Sequence, residues 1–299
     1  MTGPRARPAL AESAAERRPP QQQTQTQTQT KTQTQTQTRS RTQTRTQTRT
    51  QTRTHLAGAT LSEFDGVRYL HLGTDWVQGA MRIRAPAKLE LEYIQRMMAW
   101  LLWRPTEALA HGRAVQLGLG AAAITRFTHQ VLRWPTTAIE INPSVVQACK
   151  LWFHLPDNGA RLQVIEADAG HWVQHRAAPE TADALCVDLY DHDAAAPVLD
   201  DEGFYRACRT LLAPGGVMTV NLFGRDASFE HSSARVAAAF GTDQVWQLAP
   251  TKEGNTVLVA GREVVVPDRD TMTARAEAIA ARFGLPARKW LRLVRPYRA

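Results

Sequence analysis

The feature that most constrains the fold of this chain is a regular alternation of strand-like and helix-like segments. Short apolar runs that predict strands fall at 113–119, 136–141, 162–167, 182–189 and 217–223. Helical spacing of apolar residues follows most of them, at 122–132, 144–153, 201–212 and 232–240. Strands that alternate with helices form βαβ units and run parallel in one sheet. The pattern therefore predicts an α/β fold built on five parallel strands.

Two more predicted strands, 244–249 and 256–261, follow the parallel set and are joined by a short loop that contains Gly254. A connection this short predicts an antiparallel pair, because neighbouring parallel strands need a long crossover. Five parallel strands followed by such a pair are typical of the class I methyltransferase-like, or Rossmann-like, fold. The sequence therefore predicts a seven-stranded sheet of that class.

Shorter elements flank the predicted sheet. Alternating apolar residues at 67–72 and 75–83 predict a small N-terminal β-hairpin. One helix is predicted at 89–103, and a second one, with a basic end, at 268–299. We accordingly divide the chain into a tail (1–55), a hairpin and lead-in helix (56–105), a Rossmann-like domain (106–262), and a C-terminal helix with a basic end (263–299).

The first 55 residues cannot contribute a hydrophobic core. Residues 22–54 alternate Thr and Gln, interrupted mainly by basic residues, and contain no aliphatic or aromatic side chain. Such a segment cannot offset its ordering entropy, so we expect it to be disordered. Residues 1–55 hold ten Lys or Arg against two Glu, which equals the net charge of +8 of the whole chain. The tail is expected either to contact anionic partners without sequence preference or to be a solvated extension.

The sequence carries no membrane or secretion signal that we recognise. There is no run of about 18 apolar residues, and the N-terminus lacks the apolar core of a signal peptide. Three cysteines, Cys149, Cys186 and Cys208, lie in apolar patterns and match no metal-ligand spacing. We expect buried thiols, no metal site and a cytoplasmic protein.

A glycine turn and acids at predicted strand ends indicate a nucleoside site. Gly118 and Gly120 follow the first parallel strand, where bare backbone lets a ligand approach. Glu140 ends the next strand, about 20 residues on, where an acid accepts from ribose hydroxyls. Asp168, after the third strand, could accept from the exocyclic amine of adenine. The sequence contains no P-loop motif (Gly-x-x-x-x-Gly-Lys-Ser/Thr) for binding phosphates. The glycine turn and the two acids therefore favour an adenosyl compound without phosphates.

Two acids, Asp188 and Asp191, follow the fourth and most hydrophobic strand. Paired carboxylates beside a sulfonium site favour a cationic amine as the nucleophile. An alkylammonium has no lone pair at neutral pH, so a base must take its proton before nitrogen attacks carbon. The pair would also orient the amine for in-line displacement. The alternative is that four acids only cap and solvate this loop and the helix that begins near Glu202: Asp191, Asp193, Asp200 and Asp201.

In their order and spacing, these motifs resemble the spermidine synthase, or polyamine aminopropyltransferase, family, especially its short bacterial members. The resemblance covers about residues 64–262. The matching segments are WVQGAM at 76–81, LEY at 91–93, MM at 97–98, LGLG at 117–120, EINP at 140–143, AD at 167–168, DLYD at 188–191, GFY at 203–205 and LAPGG at 212–216.

The resemblance implies transfer of an aminopropyl group from decarboxylated S-adenosylmethionine to a diamine such as putrescine, with release of methylthioadenosine. It implies no prosthetic group, and it makes a homodimer an expectation. In the donor site, Glu140 would hold the ribose and Asp168 the adenine. In the acceptor site, Asp188 would be the general base. The side chains around the amine would be Asp191, Tyr93 and Gln78.

Departures from the family pattern leave other functions open. The family's first turn carries an Asp that helps hold the donor's ammonium, and here that position is Ala121. Ile94 stands where a Gln often follows the family's Tyr, and the usual Asp-Ser-Ser-Asp-Pro is Asp-Leu-Tyr-Asp-His at 188–192. One alternative is a methyltransferase that uses S-adenosylmethionine on an unknown acceptor. The other is a non-catalytic nucleoside-binding protein whose basic tail contacts an anionic partner.

Overall fold

The structure, a computed structural model, describes residues 56–189, 197–223 and 227–298. These all belong to one unit, which spans Thr54–Ala299. The tail at 1–55, expected to be disordered, lies outside the described residues, and so do the acids Asp191 and Asp193. Within the described ranges, no helix is both long and apolar enough to cross a membrane.

A three-stranded antiparallel sheet precedes the main domain. Its strands are β1 (Ala59–Phe64), β2 (Val67–Leu72) and β3 (Val77–Arg82), in that spatial order. The predicted hairpin is confirmed as β2 and β3. Asp65 and Gly66 connect β1 to β2 with positive φ at both residues (48° and 69°), which is the turn that suits the twist of a hairpin. β1 escapes the sequence prediction because most of its residues are exposed.

The main sheet has eight strands in the described part of the chain. They are β4 (Ala114–Leu117), β5 (Thr136–Glu140), β6 (Leu162–Glu166), β7 (Ala182–Val187), β8 (Leu212–Phe223), β9 (Val245–Leu248), β10 (Asn255–Gly261) and β11 (Val294–Pro296). Their spatial order is β11-β9-β10-β8-β7-β4-β5-β6. The strands from β8 to β6 in this order are parallel, whereas β10, β9 and β11 pair antiparallel. The methyltransferase-like α/β class is therefore confirmed.

The predicted number of seven strands in this sheet is wrong by one. The additional strand, β11, is three residues long and pairs with β9 near the C-terminus. It ends in Pro296, and proline cannot donate a hydrogen bond to a sheet ladder, so the segment carries no strand signal in the sequence. Only the tertiary structure brings it beside β9.

Eight α-helices of the described chain connect these strands and cover the sheet. They are α1 (Glu92–Met97), α2 (Ala123–Arg126), α3 (Pro143–Trp152), α4 (Ala169–His175), α5 (Glu202–Leu211), α6 (Ala227–Phe240), α7 (Arg269–Phe283) and α8 (Ala287–Leu293). The helix predicted at 89–103 is α1 followed by a tighter 3-10 segment, Met98–Trp103.

The C-terminal region contains two helices rather than the one predicted. Gly284 follows α7 in the left-handed conformation (φ 66°), which ends the helix, because side-chain-bearing residues rarely adopt it. Pro286 then precedes α8. Gly284 and Pro286 therefore divide into two helices the segment that the apolar pattern alone predicts as one helix.

Apolar side chains pack on both faces of the main sheet. One cluster contains Trp100, Trp134 and Trp290, and another contains Phe204 and Tyr205 of α5. All three cysteines are buried and free, as expected, and burial raises the pKa of each thiol. Because both faces are covered, the carboxyl edge of the parallel strands is the natural place for a ligand.

Candidate active site

A cavity of about 740 Å³ lies at the carboxyl ends of β4, β5, β7 and β8. This volume falls in the range of small-molecule sites. The structure brings together at this cavity every predicted site residue that it describes. They are Gln78, Tyr93, Gly118, Gly120, Glu140, Asp168 and Asp188. Their individual roles stay predictions, and Asp191 lies outside the described residues.

The turn after β4 needs glycine at position 118 for a reason beyond ligand access. Gly118 has a φ of 86°, and a Cβ atom there would lie 2.0 Å from the carbonyl oxygen of Asp188. Its amide donates to the carbonyl of Ile139 at 2.9 Å. The turn is thus packed directly between β5 and the end of β7, and it fixes the backbone beneath Asp188.

Glu140, at the end of β5, supports the glycine turn from below. Its Oε2 accepts from the amide of Leu119 at 2.9 Å, and its Oε1 accepts from the amide of Asn142 at 2.8 Å. Burial raises the pKa of this carboxyl, and the amide donors oppose that rise. Each carboxylate oxygen has a second lone pair, so Glu140 can hold the turn and still accept from a ligand hydroxyl.

Asp168 caps the helix that follows β6. Its Oδ1 accepts from the amide of His171 at 2.6 Å, in the first turn of α4. Beside it, the apolar side chains of Ile141 and Val198 also line the cavity. Ile141 is half exposed, and an exposed apolar side chain inside a cavity provides a contact surface for a flat ligand ring. The arrangement suits a nucleobase with a polar edge.

Asp188 is the only carboxylate of the described cavity lining that is hydrogen-bonded to two other cavity side chains. Asn221 donates through Nδ2 to its Oδ1 at 2.9 Å, and the hydroxyl of Tyr93 donates to its Oδ2 at 3.3 Å. Burial raises the pKa of Asp188 to about 6, while both donors act to lower it. A carboxyl tuned in this way is ionised at neutral pH and remains able to take a proton.

The cavity residues that were not assigned a role from the sequence include Asn221, Phe223, Glu92 and Glu253. Asn221 had a usable signal, because it is a polar residue in the mostly apolar run that forms the end of β8. Phe223, at the end of that strand, contacts Trp76 edge to face with ring centroids 5.5 Å apart. Glu253 has no such signal, since it lies in a short loop between β9 and β10.

All charged side chains in the described lining of the cavity are acidic. Five carboxylates belong to the described lining: Glu92, Glu140, Asp168, Asp188 and Glu253. No Lys, Arg or His side chain belongs to that described lining. Clustered charge of one sign with low-dielectric walls attracts ligands of the opposite sign. The cavity therefore favours cationic ligands.

Ala121, where the resembling family has an acid, is a packing residue in this structure. It is only 2% exposed and is absent from the described lining of the cavity. A Cβ atom built on Gly79 of β3 would lie 2.6 Å from the Ala121 Cβ. The missing side chain at Gly79 therefore lets β3 lie directly on the glycine turn, with Ala121 packed beneath it.

The sheet order and the helices on its faces define a methyltransferase-like α/β domain with a cavity at its carboxyl edge, and sequence comparison resolves the class further. A polyamine aminopropyltransferase from Neisseria meningitidis serogroup A is 30% identical over 233 residues, covering 77% of this chain and 86% of that protein. The one from Chromobacterium violaceum is 30% identical over 227 residues, covering 75% and 84%. No protein-family model matches the chain. The chain belongs to the polyamine aminopropyltransferase family.

Solved structures agree on the fold. A probable spermidine synthase from Corynebacterium glutamicum superposes with a TM-score of 0.62 at 19% identity, over 78% of this chain and 90% of that one. Human methyltransferase-like protein 13, in complex with SAH, gives 0.57 at 21% identity, over 70% and 96%. At these identities the likeness shows the methyltransferase-like fold alone.

Proposed function

We propose that the protein transfers an aminopropyl group from decarboxylated S-adenosylmethionine to a diamine such as putrescine. The observation that carries this proposal is Asp188, a base tuned by burial, in a cavity whose described lining has five carboxylates and no basic side chain. Both proposed substrates are cations. Membership of the polyamine aminopropyltransferase family supports the same reaction.

The donor is proposed to be the decarboxylated compound because of this charge. Intact S-adenosylmethionine carries a carboxylate, which the acids of the cavity would repel, whereas the decarboxylated form carries only positive groups. Its ribose hydroxyls would donate to Glu140, which already holds the glycine turn. Its adenine would lie against Ile141 with the exocyclic amine near Asp168. The donor's own ammonium would be held by the remaining acids rather than at Ala121.

The chemistry requires a proton and an electron pair to move in order. Asp188 takes a proton from the reacting ammonium, whose ordinary pKa is about 10.4. The freed nitrogen lone pair attacks the aminopropyl methylene that is bonded to the sulfonium, and it forms the new carbon–nitrogen bond. The carbon–sulfur bond breaks, and its electron pair stays on sulfur, which leaves as the neutral thioether of methylthioadenosine.

Three side chains would position this step. Asn221 and Tyr93 each donate to Asp188, and so they hold its carboxylate in one orientation within the cavity. Gln78, beside the glycine turn, is placed to contact the aminopropyl chain. Holding the nitrogen and the carbon in line contributes to the rate without any further chemical group.

The proposal is tested first by conversion of the two substrates to products and then by substitution of the proposed base, Asp188. Purified protein with decarboxylated S-adenosylmethionine and putrescine is expected to form spermidine and methylthioadenosine, measured by mass spectrometry. Asp188→Asn should lower kcat/KM at least ~100-fold, because general base catalysis contributes about 10²–10⁴-fold. The matched control is Asp157→Asn, an exposed acid outside the described lining of the cavity, which should keep wild-type activity. Full activity in Asp188→Asn would contradict the proposed base.

A stability measurement separates lost catalysis from lost folding in that variant. Folding raises the pKa of Asp188 from its usual value near 3.8 to about 6. The protonated form is thus favoured in the folded state, and stability is lost as pH rises through that window. Asp188→Asn should consequently be at least as stable as the wild type at pH 8 in thermal unfolding.

A further inference from the structure

The C-terminal end of the described chain concentrates positive charge that the proposed reaction does not use. Residues 284–299 contain five basic residues and no acid, whereas residues 56–283 contain 21 basic and 26 acidic residues. All five basic side chains are exposed, and none belongs to the described lining of the acidic cavity. We call these five residues the basic face: Arg288, Lys289, Arg292, Arg295 and Arg298.

Three members of the basic face cover the exposed side of α8. At 3.6 residues per turn, Arg288, Lys289 and Arg292 lie within about 100° of arc around the helix axis. Ala287 and Trp290, on the opposite side of α8, are buried. The helix therefore packs its apolar side into the core and presents its basic side to solvent.

The other two members of the basic face lie at a second cavity of the described chain. This cavity has a volume of about 420 Å³ and is lined by Gln247, Arg295, Pro296 and Arg298. Arg295 is the cross-strand partner of Gln247 where β11 pairs with β9, and the side chains of such partners lie side by side on one face of a sheet. Guanidinium and amide groups are donors, and guanidinium matches the geometry of phosphate oxygens. The cavity therefore suits a phosphate group.

Hydrogen bonds fix the backbone that carries these residues. The amide of Ala249 donates to the carbonyl of Leu293 at 3.1 Å, and the amide of Tyr297 donates to the carbonyl of Val245 at 2.9 Å. The hydroxyl of Tyr297, a buried residue, lies 3.2 Å from the hydroxyl of Ser233. Because the backbone is already ordered, less conformational entropy is lost when a ligand binds to it.

Most of the charge on the basic face is available for a partner. Arg288 forms an ion pair with Glu277 at 3.4 Å, and both side chains are more than half exposed. The remaining four members of the basic face form no ion pair with any described Asp or Glu. A cluster of cations on a fixed surface attracts a polyanion and releases the polyanion's counterions.

We infer that the basic face binds the phosphate backbone of a double-stranded nucleic acid without sequence preference. Helices that bind membranes insert an apolar face, but none of the exposed large apolar side chains of the described chain lies at 284–298. Proteins that bind single strands stack the bases on exposed aromatic rings, but Trp290 and Tyr297 are buried. Charge without apolar or aromatic contact surface is what a duplex backbone requires. This inference does not depend on the proposed function.

The salt dependence of duplex binding tests the proposal. Fluorescence anisotropy of a labelled DNA duplex of about 20 base pairs is measured with the full chain over about 50–200 mM salt. Each phosphate that a protein neutralises adds about 0.9 to the slope of log affinity against log salt concentration. Arg295→Gln/Arg298→Gln should lower that slope by about 1.8 and weaken binding at least about tenfold at the lowest salt. A duplex of scrambled sequence should bind with the same affinity.

Arg133→Gln/Lys150→Gln is the matched control. It also removes two exposed positive charges, but from residues on either side of β5, which lies near the opposite edge of the main sheet from β11. Its slope and affinity should equal those of the wild type. The tail (1–55) is the same in all three proteins, so a difference between them reports the basic face. Their thermal unfolding midpoints should agree, because all four substituted side chains are exposed.

Three results would overturn the proposal. The first is an unchanged slope and affinity in Arg295→Gln/Arg298→Gln, which would mean that any duplex is bound elsewhere on the chain. The second is an equal loss in the control variant, because net charge alone would then explain the binding. The third is weaker binding of the duplex than of a single strand or of vesicles of anionic phospholipid, which includes no binding of the duplex at all.

Discussion

At the scale of single residues, two opposed influences set the charge of Asp188. Burial disfavours its carboxylate and raises its pKa to about 6, whereas Asn221 and Tyr93 donate to the charged form and favour it. The balance leaves the group ionised at neutral pH but more basic than an exposed Asp. A base of this kind works only above its own pKa.

The pH dependence of kcat/KM for the diamine should report this balance. Activity is expected to fall below pH about 6 with the uptake of one proton, because protonated Asp188 cannot act as a base. Asn221→Ala removes a donor to the carboxylate, so the pKa of Asp188 should rise and the acid limb should move up by roughly one pH unit. The measurement is a pH–rate profile of each protein.

Tyr93→Phe provides a second comparison in that experiment, since it removes the hydroxyl that is the other donor to Asp188. Its acid limb should also move to higher pH. An acid limb at the same pH in all three proteins would mean that another group titrates.

The position of Asp188 is predictable from the sequence, but its partners are not. A single acid after an apolar strand marks the carboxyl edge of a parallel sheet. Asn221 lies 33 residues further along the chain, and only the parallel pairing of β7 with β8 brings it beside Asp188. This contact depends on the tertiary structure, so the sequence pattern alone does not predict that Asn221 is a partner of Asp188.

At the scale of elements, the end of β5 illustrates why strand-end acids are ambiguous. Glu140 and Glu166 are paired neighbours at the ends of β5 and β6. Glu140 is buried under the glycine turn, whereas Glu166 is exposed. What separates them is the turn after β4, which packs on β5 and not on β6. The sequence separation from Gly120 distinguishes Glu140 from Glu166. The residue type alone does not, because both are glutamates at strand ends.

The glycine turn itself yields a prediction about stability. Gly118→Ala would place a Cβ atom 2.0 Å from the carbonyl oxygen of Asp188, at a φ of 86°. The strained backbone and the steric clash should lower the free energy of unfolding by about 3 kcal/mol or more. The measurement is denaturant unfolding followed by circular dichroism.

Gly159→Ala is the matched control for that substitution. A Cβ atom there has no neighbour within 4 Å, and its φ is not in the left-handed region. Its effect should stay within about 0.5 kcal/mol, as for other exposed positions. Comparable stability of Gly118→Ala and Gly159→Ala would contradict the packing of the turn against β7.

At the scale of the whole molecule, charge is divided unevenly along the chain. Residues 1–55 carry the net charge of +8, and residues 56–299 carry 26 basic and 26 acidic residues. The acidity of the cavity is therefore a local concentration of carboxylates in a neutral domain, not a consequence of the overall composition. This is the physical reason to expect cationic substrates despite a sequence pI of about 9.9.

Much of the architecture follows from the sequence because its signals are local. Apolar runs, helical spacing and the turn at Gly118 predict the five parallel strands and the antiparallel pair after them. β1 and β11 escape prediction because one is mostly exposed and the other ends in Pro296. Trp76 and Glu253 likewise acquire their place only when β3 and the loop before β10 meet at the cavity.

The acidic cavity is proposed to select a donor without a carboxylate for transfer to an amine. The most direct measurement supplies equal concentrations of decarboxylated and intact S-adenosylmethionine together with putrescine, and quantifies both thioether products by mass spectrometry. We expect methylthioadenosine and spermidine in equal amounts, with intact S-adenosylmethionine left unconsumed. Formation of S-adenosylhomocysteine, or no product from the decarboxylated donor, would contradict it.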